Sequence, residues 1–220
     1  MQGIAACIFD LDGVIVDTAV YHFKAWKRMA NELGFNFTEA QNEKLKGVSR
    51  VRSLELILEW GGIEKSVAEQ HELATRKNDW YVDMINHMTP EEILPGAKEL
   101  LESLRSAGIK TALGSASKNA GVILDKVGIL SLFDVVIDGN MVSASKPDPE
   151  VFLKGAEALG AAPEQCIVFE DAIAGVEAGK AGGMKVVGIG EKSVLNEADL
   201  VVSGLQEINI QTLTNLYNSK

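Results

Sequence analysis

A chain of 220 residues, 46% of them hydrophobic, is long enough for one large domain or for a core with a small insert. It carries 21 Lys and Arg against 31 Asp and Glu, net −10, which argues against nucleic acid and anionic membrane as partners. No apolar run approaches the roughly 20 residues that span a bilayer, and no basic stretch leads into an apolar one at the N-terminus, so a cytoplasmic protein is expected, a monomer by default.

The first element is Ala6-Cys7-Ile8-Phe9, a short apolar run that reads as a central strand of a parallel sheet. It stops at Asp10-Leu11-Asp12-Gly13. Ligands of such sheets sit at the carboxyl ends of the strands. Two acids there need a reason, because an unpaired buried charge is costly. A hard cation is the simplest, since Mg2+ takes one or two carboxylates plus water and substrate phosphate. Asp10 then has the chemistry of a phosphoryl-accepting nucleophile. Asp12 is free to hand a proton to the leaving oxygen, and Gly13 lets the chain turn past a phosphate. A plain Asp/Gly turn is the competing reading of these four residues.

Helical spacing follows at Val20, Phe23, Ala25, Trp26, Met29, Ala30 and Leu33, ended by Gly34. A second helix reads from about 39 to 45. Ser49 is placed to cap a third that runs to Trp60, and a long fourth covers about 67 to 87. No strand signal occurs between Val20 and Pro90. After Pro95-Gly96, helices and strands alternate. The strands read at 109–114, 135–137, 166–169, 186–189 and 200–202, and a last helix lies near 207–217. The alternation predicts repeated βαβ units, and so an α/β fold with a Rossmann-like parallel sheet. The expected division is a core of residues 1–17 and 92–220 and an inserted helical cap, 18–91. Cys7 and Cys166, each in an apolar run, are expected to be buried free thiols.

Three further strand ends carry chemistry. Ser115 offers a hydroxyl and a run of amides leading to a helix, which is either a phosphate cradle or an ordinary cap. Lys146, stiffened by Pro147, can offset charge on a transferring phosphoryl group, or be a solvated loop lysine. Glu170-Asp171 repeat the oddity of Asp10 and Asp12, and a shared metal explains both; two acids favouring a helix dipole is the alternative.

In their order, Asp10-x-Asp12, Ser115, Lys146 and Glu170-Asp171 resemble the four motifs of the haloacid dehalogenase superfamily in its phosphotransferase form. Ala172 departs from the serine that many relatives have there. The resemblance implies a nucleophile at Asp10 and an acid/base at Asp12. It also implies one Mg2+ held by the Asp10 side chain and the Asp12 carbonyl, with Glu170 and Asp171 completing the metal site.

The inserted segments Thr18, Tyr21-His22-Phe23, Ala25-Trp26, Leu45 to Arg50 and Thr75 to Asp79, with Ser115 to Asn119, resemble the hexose-phosphate mutases of that superfamily nearly end to end. What this implies is a small sugar-phosphate substrate and exchange between β-glucose 1-phosphate and glucose 6-phosphate. The implied route passes through an aspartyl-phosphate and β-glucose 1,6-bisphosphate, which doubles as activator. A sugar-phosphate phosphatase with the same four motifs is the alternative. Arg50 is then expected to grip the non-transferring phosphate, a task suited to a bidentate guanidinium. Lys46, Gly47 and Trp26 contact the sugar or help close the cap. His22 assists Asp12, and Lys77 reaches a sugar hydroxyl. Thr18, Ala116, Ser117, Lys118 and Asn119 join the substrate site, and Ser115 the catalytic one. Plain core packing remains open for Trp26, and a surface position for His22.

Overall fold

The computed structural model describes residues 3–45 and 48–219, so the expectations for Lys46 and Gly47 fall outside the described residues. Six parallel strands form one sheet: β1 (Ala6–Phe9), β2 (Lys110–Gly114), β3 (Val135–Ile137), β4 (Cys166–Glu170), β5 (Lys185–Ile189) and β6 (Leu200–Val202), in the order β3-β2-β1-β4-β5-β6. All four residues of β1 are fully buried. A parallel strand covered on both faces has no use for alternation, which is why its sequence reads as a continuous apolar run.

Cys7 and Phe9 face a layer built by α5 (Ala97–Ser106), α6 (Ala120–Lys126) and α9 (Ile210–Asn218). Ala6 and Ile8 face α7 (Glu150–Leu159) and α8 (Ile173–Ala181). Cys7 and Cys166 therefore belong to opposite faces of the sheet, and both are free and buried. Phe9 lies in register with Leu113 of β2 and Phe169 of β4, so the three central strands end at one level. The order of the strands reverses between β1 and β4. That crevice at the carboxyl ends is where an open parallel sheet binds its ligands.

Between β1 and α5 the chain makes α1 (Ala19–Glu32), α2 (Glu39–Glu43), α3 (Arg50–Gly61) and α4 (Val67–Ile85). These helices own a separate apolar cluster that includes Trp26, Met29, Phe37, Leu54 and Ile57. Their starts follow local capping chemistry: Thr38 with Gln41 and Ser66 with Glu69 form capping boxes, and the Ser49 hydroxyl accepts from Arg52 N–H. Gly62, at φ 64°, ends α3.

The two crossings between cap and core are tied together. Val16 bridges both Asp12 and Ile93, Leu94 N–H donates to the Ile15 carbonyl at 2.9 Å, and the Tyr21 phenol donates to Glu92.

The element expectations differ from the structure mainly at ends. The last helix starts at Ile210 rather than near 207, because the Asn209 side chain accepts from Thr212 N–H at 2.9 Å and 205–207 makes a separate 3-10 turn. Among the described residues no helix is long and apolar enough to cross a membrane.

Candidate active site

Four strand ends supply the centre. Asp10 follows β1, and its backbone N–H continues the sheet by donating to the Phe169 carbonyl at 2.9 Å. Ser115 follows β2, Lys146 lies in the loop after β3, and Glu170 ends β4 with Asp171 next. The buried Lys146 ammonium donates to Asp10 Oδ1 at 2.5 Å and to Glu170 Oε1 at 2.6 Å. Asp10 Oδ2 accepts from Asp12 N–H at 3.0 Å, and Glu170 Oε2 accepts from Ala172 N–H at 2.8 Å. The lysine is thus a buried clamp rather than a solvated loop residue.

Two glycines make room for the acids. A Cβ on Gly175 would stand 1.9 Å from the Glu170 carboxyl carbon. Gly13 has φ +74°, and a Cβ there would stand 2.2 Å from an Asp171 carboxylate oxygen. The Asp-x-Asp-Gly stretch is therefore a turn shaped by the second acidic pair.

Asp10, Asp12, Glu170 and Asp171 gather here, with Lys146 paired to Asp10 and Glu170, and the electrostatics follow. Burial first, then Asp10 and Asp171, push the Glu170 carboxyl up to about 7 against the pull of Lys146. Burial, then Asp10 and Asp171, hold Asp12 well above the usual carboxylate range. Its Oδ1 is buried without a hydrogen-bond partner. For Lys146, burial opposes the charge, yet Asp10 and Glu170 more than offset it and hold the ammonium above its ordinary range. Burial thus biases Asp12 toward its proton-bearing form while Lys146 pairs with Asp10, so neighbouring environments set the two carboxyls apart.

The donors around this point are hard oxygens carrying surplus negative charge, which fits Mg2+. No group of three or more His, Cys, Asp or Glu side chains is arranged as a metal cage among the described residues. Mg2+ needs none, because it keeps waters and takes substrate phosphate as ligands.

The loop 115–119 is wound by its own hydroxyls. Ser115 Oγ accepts from Ser117 N–H at 3.1 Å, and Ser117 Oγ from Asn119 N–H at 3.3 Å. α6 begins only at Ala120, so Ser115 is not the cap of that helix. Gly139 N–H and the Asn140 side chain hold the loop from behind, on the Ser117 and Lys118 carbonyls.

The cap supplies the opposite wall. His22, Trp26, Arg50 and Lys77 line the same cavity of about 430 Å³ as Asp10, Asp12, Ser115, Ala116, Ser117, Lys118, Asn119, Lys146, Glu170 and Asp171. Lys77 is 2% exposed. Its ammonium lies 2.8 Å from His22 Nδ1, 4.4 Å from the Trp26 ring centre and 4.8 Å from that of Tyr81. Burial first, then Arg50, holds Lys77 well below its ordinary range, and burial, then Lys77 and Arg50, does the same to His22. A neutral imidazole accepting at Nδ1 carries its proton on the other nitrogen. Trp26 is both packed in the cap and part of the cavity wall. Thr18 is fully buried just ahead of α1, outside the lining, with its hydroxyl unpartnered.

Sequence reasoning missed Tyr81. It is 1% exposed, stacks on His22 at 4.1 Å and lines the cavity. The Thr18 and Ser117 hydroxyls face its phenol without closing a hydrogen bond. Its spacing of four from Lys77 on α4 was the available signal.

A haloacid dehalogenase-like hydrolase family model matches residues 4–183. The chain is 44% identical over 210 residues to a β-phosphoglucomutase of Bacillus subtilis (strain 168), covering 94% of this chain and 93% of that one. It is 33% identical over 182 residues to a phosphorylated carbohydrates phosphatase of Thermotoga maritima, covering 82% of each. The crystal structure of a β-phosphoglucomutase from Clostridium difficile is similar with a TM-score of 0.94 at 42% identity, covering 98% of this chain and 97% of that one.

Proposed function

From the premise that this chain belongs to the haloacid dehalogenase-like hydrolase family, we propose that it interconverts β-D-glucose 1-phosphate and D-glucose 6-phosphate, working as a β-phosphoglucomutase. The observation that carries the reading is the single cavity that joins the Asp10–Lys146–Glu170 centre to Arg50, Lys77 and His22 of the cap. A phosphatase needs the first group. A mutase also needs the second, to hold a sugar whose far end carries another phosphate.

In this reading Asp10 attacks phosphorus and the bond from phosphorus to the sugar oxygen breaks. Asp12 gives its proton to that oxygen. In the other half-cycle a sugar hydroxyl attacks the aspartyl-phosphate, and Asp12 takes the proton. β-Glucose 1,6-bisphosphate stands between the half-cycles and must turn end for end. Lys146 keeps Asp10 ionised before attack and offsets phosphoryl charge during it. Asp10, Asp171 and the Asp12 carbonyl, with Glu170 behind them, would hold Mg2+, which supplies charge neutralisation to the phosphoryl oxygens. Arg50 and the loop from Ser115 to Asn119 grip the far phosphate. His22 and Lys77 reach the sugar, with Trp26 as a wall. Residues 18–91 act as a cap that shuts water out of a core of 1–17 and 92–220.

The similarity to a carbohydrate phosphatase keeps one rival alive, in which water takes the phosphoryl group instead. A two-channel assay separates them. With Mg2+, β-glucose 1-phosphate and a trace of the 1,6-bisphosphate, the proposal expects glucose 6-phosphate with little free phosphate. Phosphate released at a comparable rate would make the protein a phosphatase.

A further inference from the structure

Asn119 Nδ2 donates to Asn78 Oδ1 at 3.1 Å. Asn78 belongs to α4 of the cap, directly after Lys77, whereas Asn119 closes the core loop that begins at Ser115. The bond therefore crosses the cleft. Among the described residues the Asn119 side chain makes no other hydrogen bond, while its backbone is fixed by Ser117 Oγ and the loop behind it by Gly139 and Asn140. A carboxamide has two N–H groups in one plane. When Asn78 takes one, the rotation of that plane is set, and the other N–H has a fixed direction within the cavity that both residues line.

We propose that Asn78 is a positioning residue: by accepting from Asn119 only when the cap is shut, it aims the second Asn119 N–H at the non-transferring phosphate and so couples cap closure to the grip on that phosphate. The inference rests on the proposed sugar-phosphate substrate. Its physical content is a loop side chain that is adaptable with the cleft open and pre-organised with it closed. A phosphate ester with no second anionic group gains nothing from the arrangement.

The test is a double-mutant cycle of Asn78→Ala and Asn119→Ala, with β-glucose 1-phosphate and p-nitrophenyl phosphate as substrates. Asn78→Ala is expected to raise KM for the sugar phosphate about tenfold, the size of one hydrogen bond to a charged group. Its p-nitrophenyl phosphate hydrolysis and its melting temperature should match those of the unaltered protein. In an Asn119→Ala background the same change should do nothing more, because its partner is already gone. Additive effects of the two changes, or equal losses on both substrates, would overturn the proposal. If the unaltered protein only releases phosphate from β-glucose 1-phosphate, the mutase reading fails. The cycle is then read on the KM for that release, with the same two outcomes deciding the role of Asn78.

Discussion

Glu170 occupies its position because Gly175 has no side chain. The carboxyl group is not free to yield, since Lys146 holds one oxygen and Ala172 N–H the other. Gly175→Ala, a change that ordinarily favours a helix, should here cost about 1–3 kcal/mol through overpacking and lower turnover at least tenfold, measured by denaturant melts beside the mutase assay. Asp10→Asn keeps the shape and removes the proposed nucleophile. It should stay folded, with the near-ultraviolet dichroism of the unaltered protein, and lose mutase turnover to below detection.

Lys77 gives the clearest dependence on pH. Its ordinary value is 10.5, and burial holds it well below that in the folded chain. The unfolded chain therefore binds more protons below pH 10.5, so the contribution of Lys77 to stability falls as pH drops through that window. His22, depressed from 6.5, has the same sign below pH 6.5. Lys77→Met keeps most of the packing and removes the buried amine. It should stabilise the protein at pH 7 by about 1 kcal/mol or more, flatten the rise of stability between pH 6 and 9, and impair turnover of the sugar phosphate. Urea melts across that range check the sign.

At the scale of elements, α3 opens with Arg50 behind the Ser49 cap and points its first turn at the cavity. Arg50→Ala should reduce mutase kcat/KM by about 100-fold, the loss of a charge-assisted contact to phosphate, and change p-nitrophenyl phosphate hydrolysis less than threefold. Parallel losses would mean that Arg50 holds no second phosphate. The core of this site was legible because each acidic or hydroxylic residue sits where an apolar strand stops, and strands are short and easily bounded. The four-helix insert was legible from periodicity, from the capping residue Ser49 and from the stop at Gly34. Tyr81, Gly175 and the Asn78–Asn119 bond were not, because each acquires meaning only through a partner far away in the chain. Tyr81 reads as one more core aromatic until His22 is found stacked on it. Gly175 reads as a weak helix position until Glu170 is found beneath it. The start of α9 was misread because the side chain of Asn209, and not the apolar spacing, decides it.

For the whole molecule, a net charge of −10 repels the anionic substrate that the account requires. The cavity answers with Arg50 from the cap and Lys118 and Lys146 from the core. Neither body carries the full set, so in the proposed cycle it is cap closure that assembles the cations and displaces water from Asp10. The tied crossings at Val16, Ile93 and Leu94, with Tyr21 on Glu92, hold the two linkers side by side. Choice of acceptor is then a property of the closed molecule rather than of the nucleophile. A single turnover tests this most directly. The protein is charged on Asp10 with radiolabelled acetyl phosphate, freed of excess donor, and mixed with β-glucose 1-phosphate in Mg2+. The account predicts that most of the label appears in glucose 1,6-bisphosphate before any appears as inorganic phosphate. Label passing mainly to inorganic phosphate, with the sugar phosphate present and bound, would contradict it.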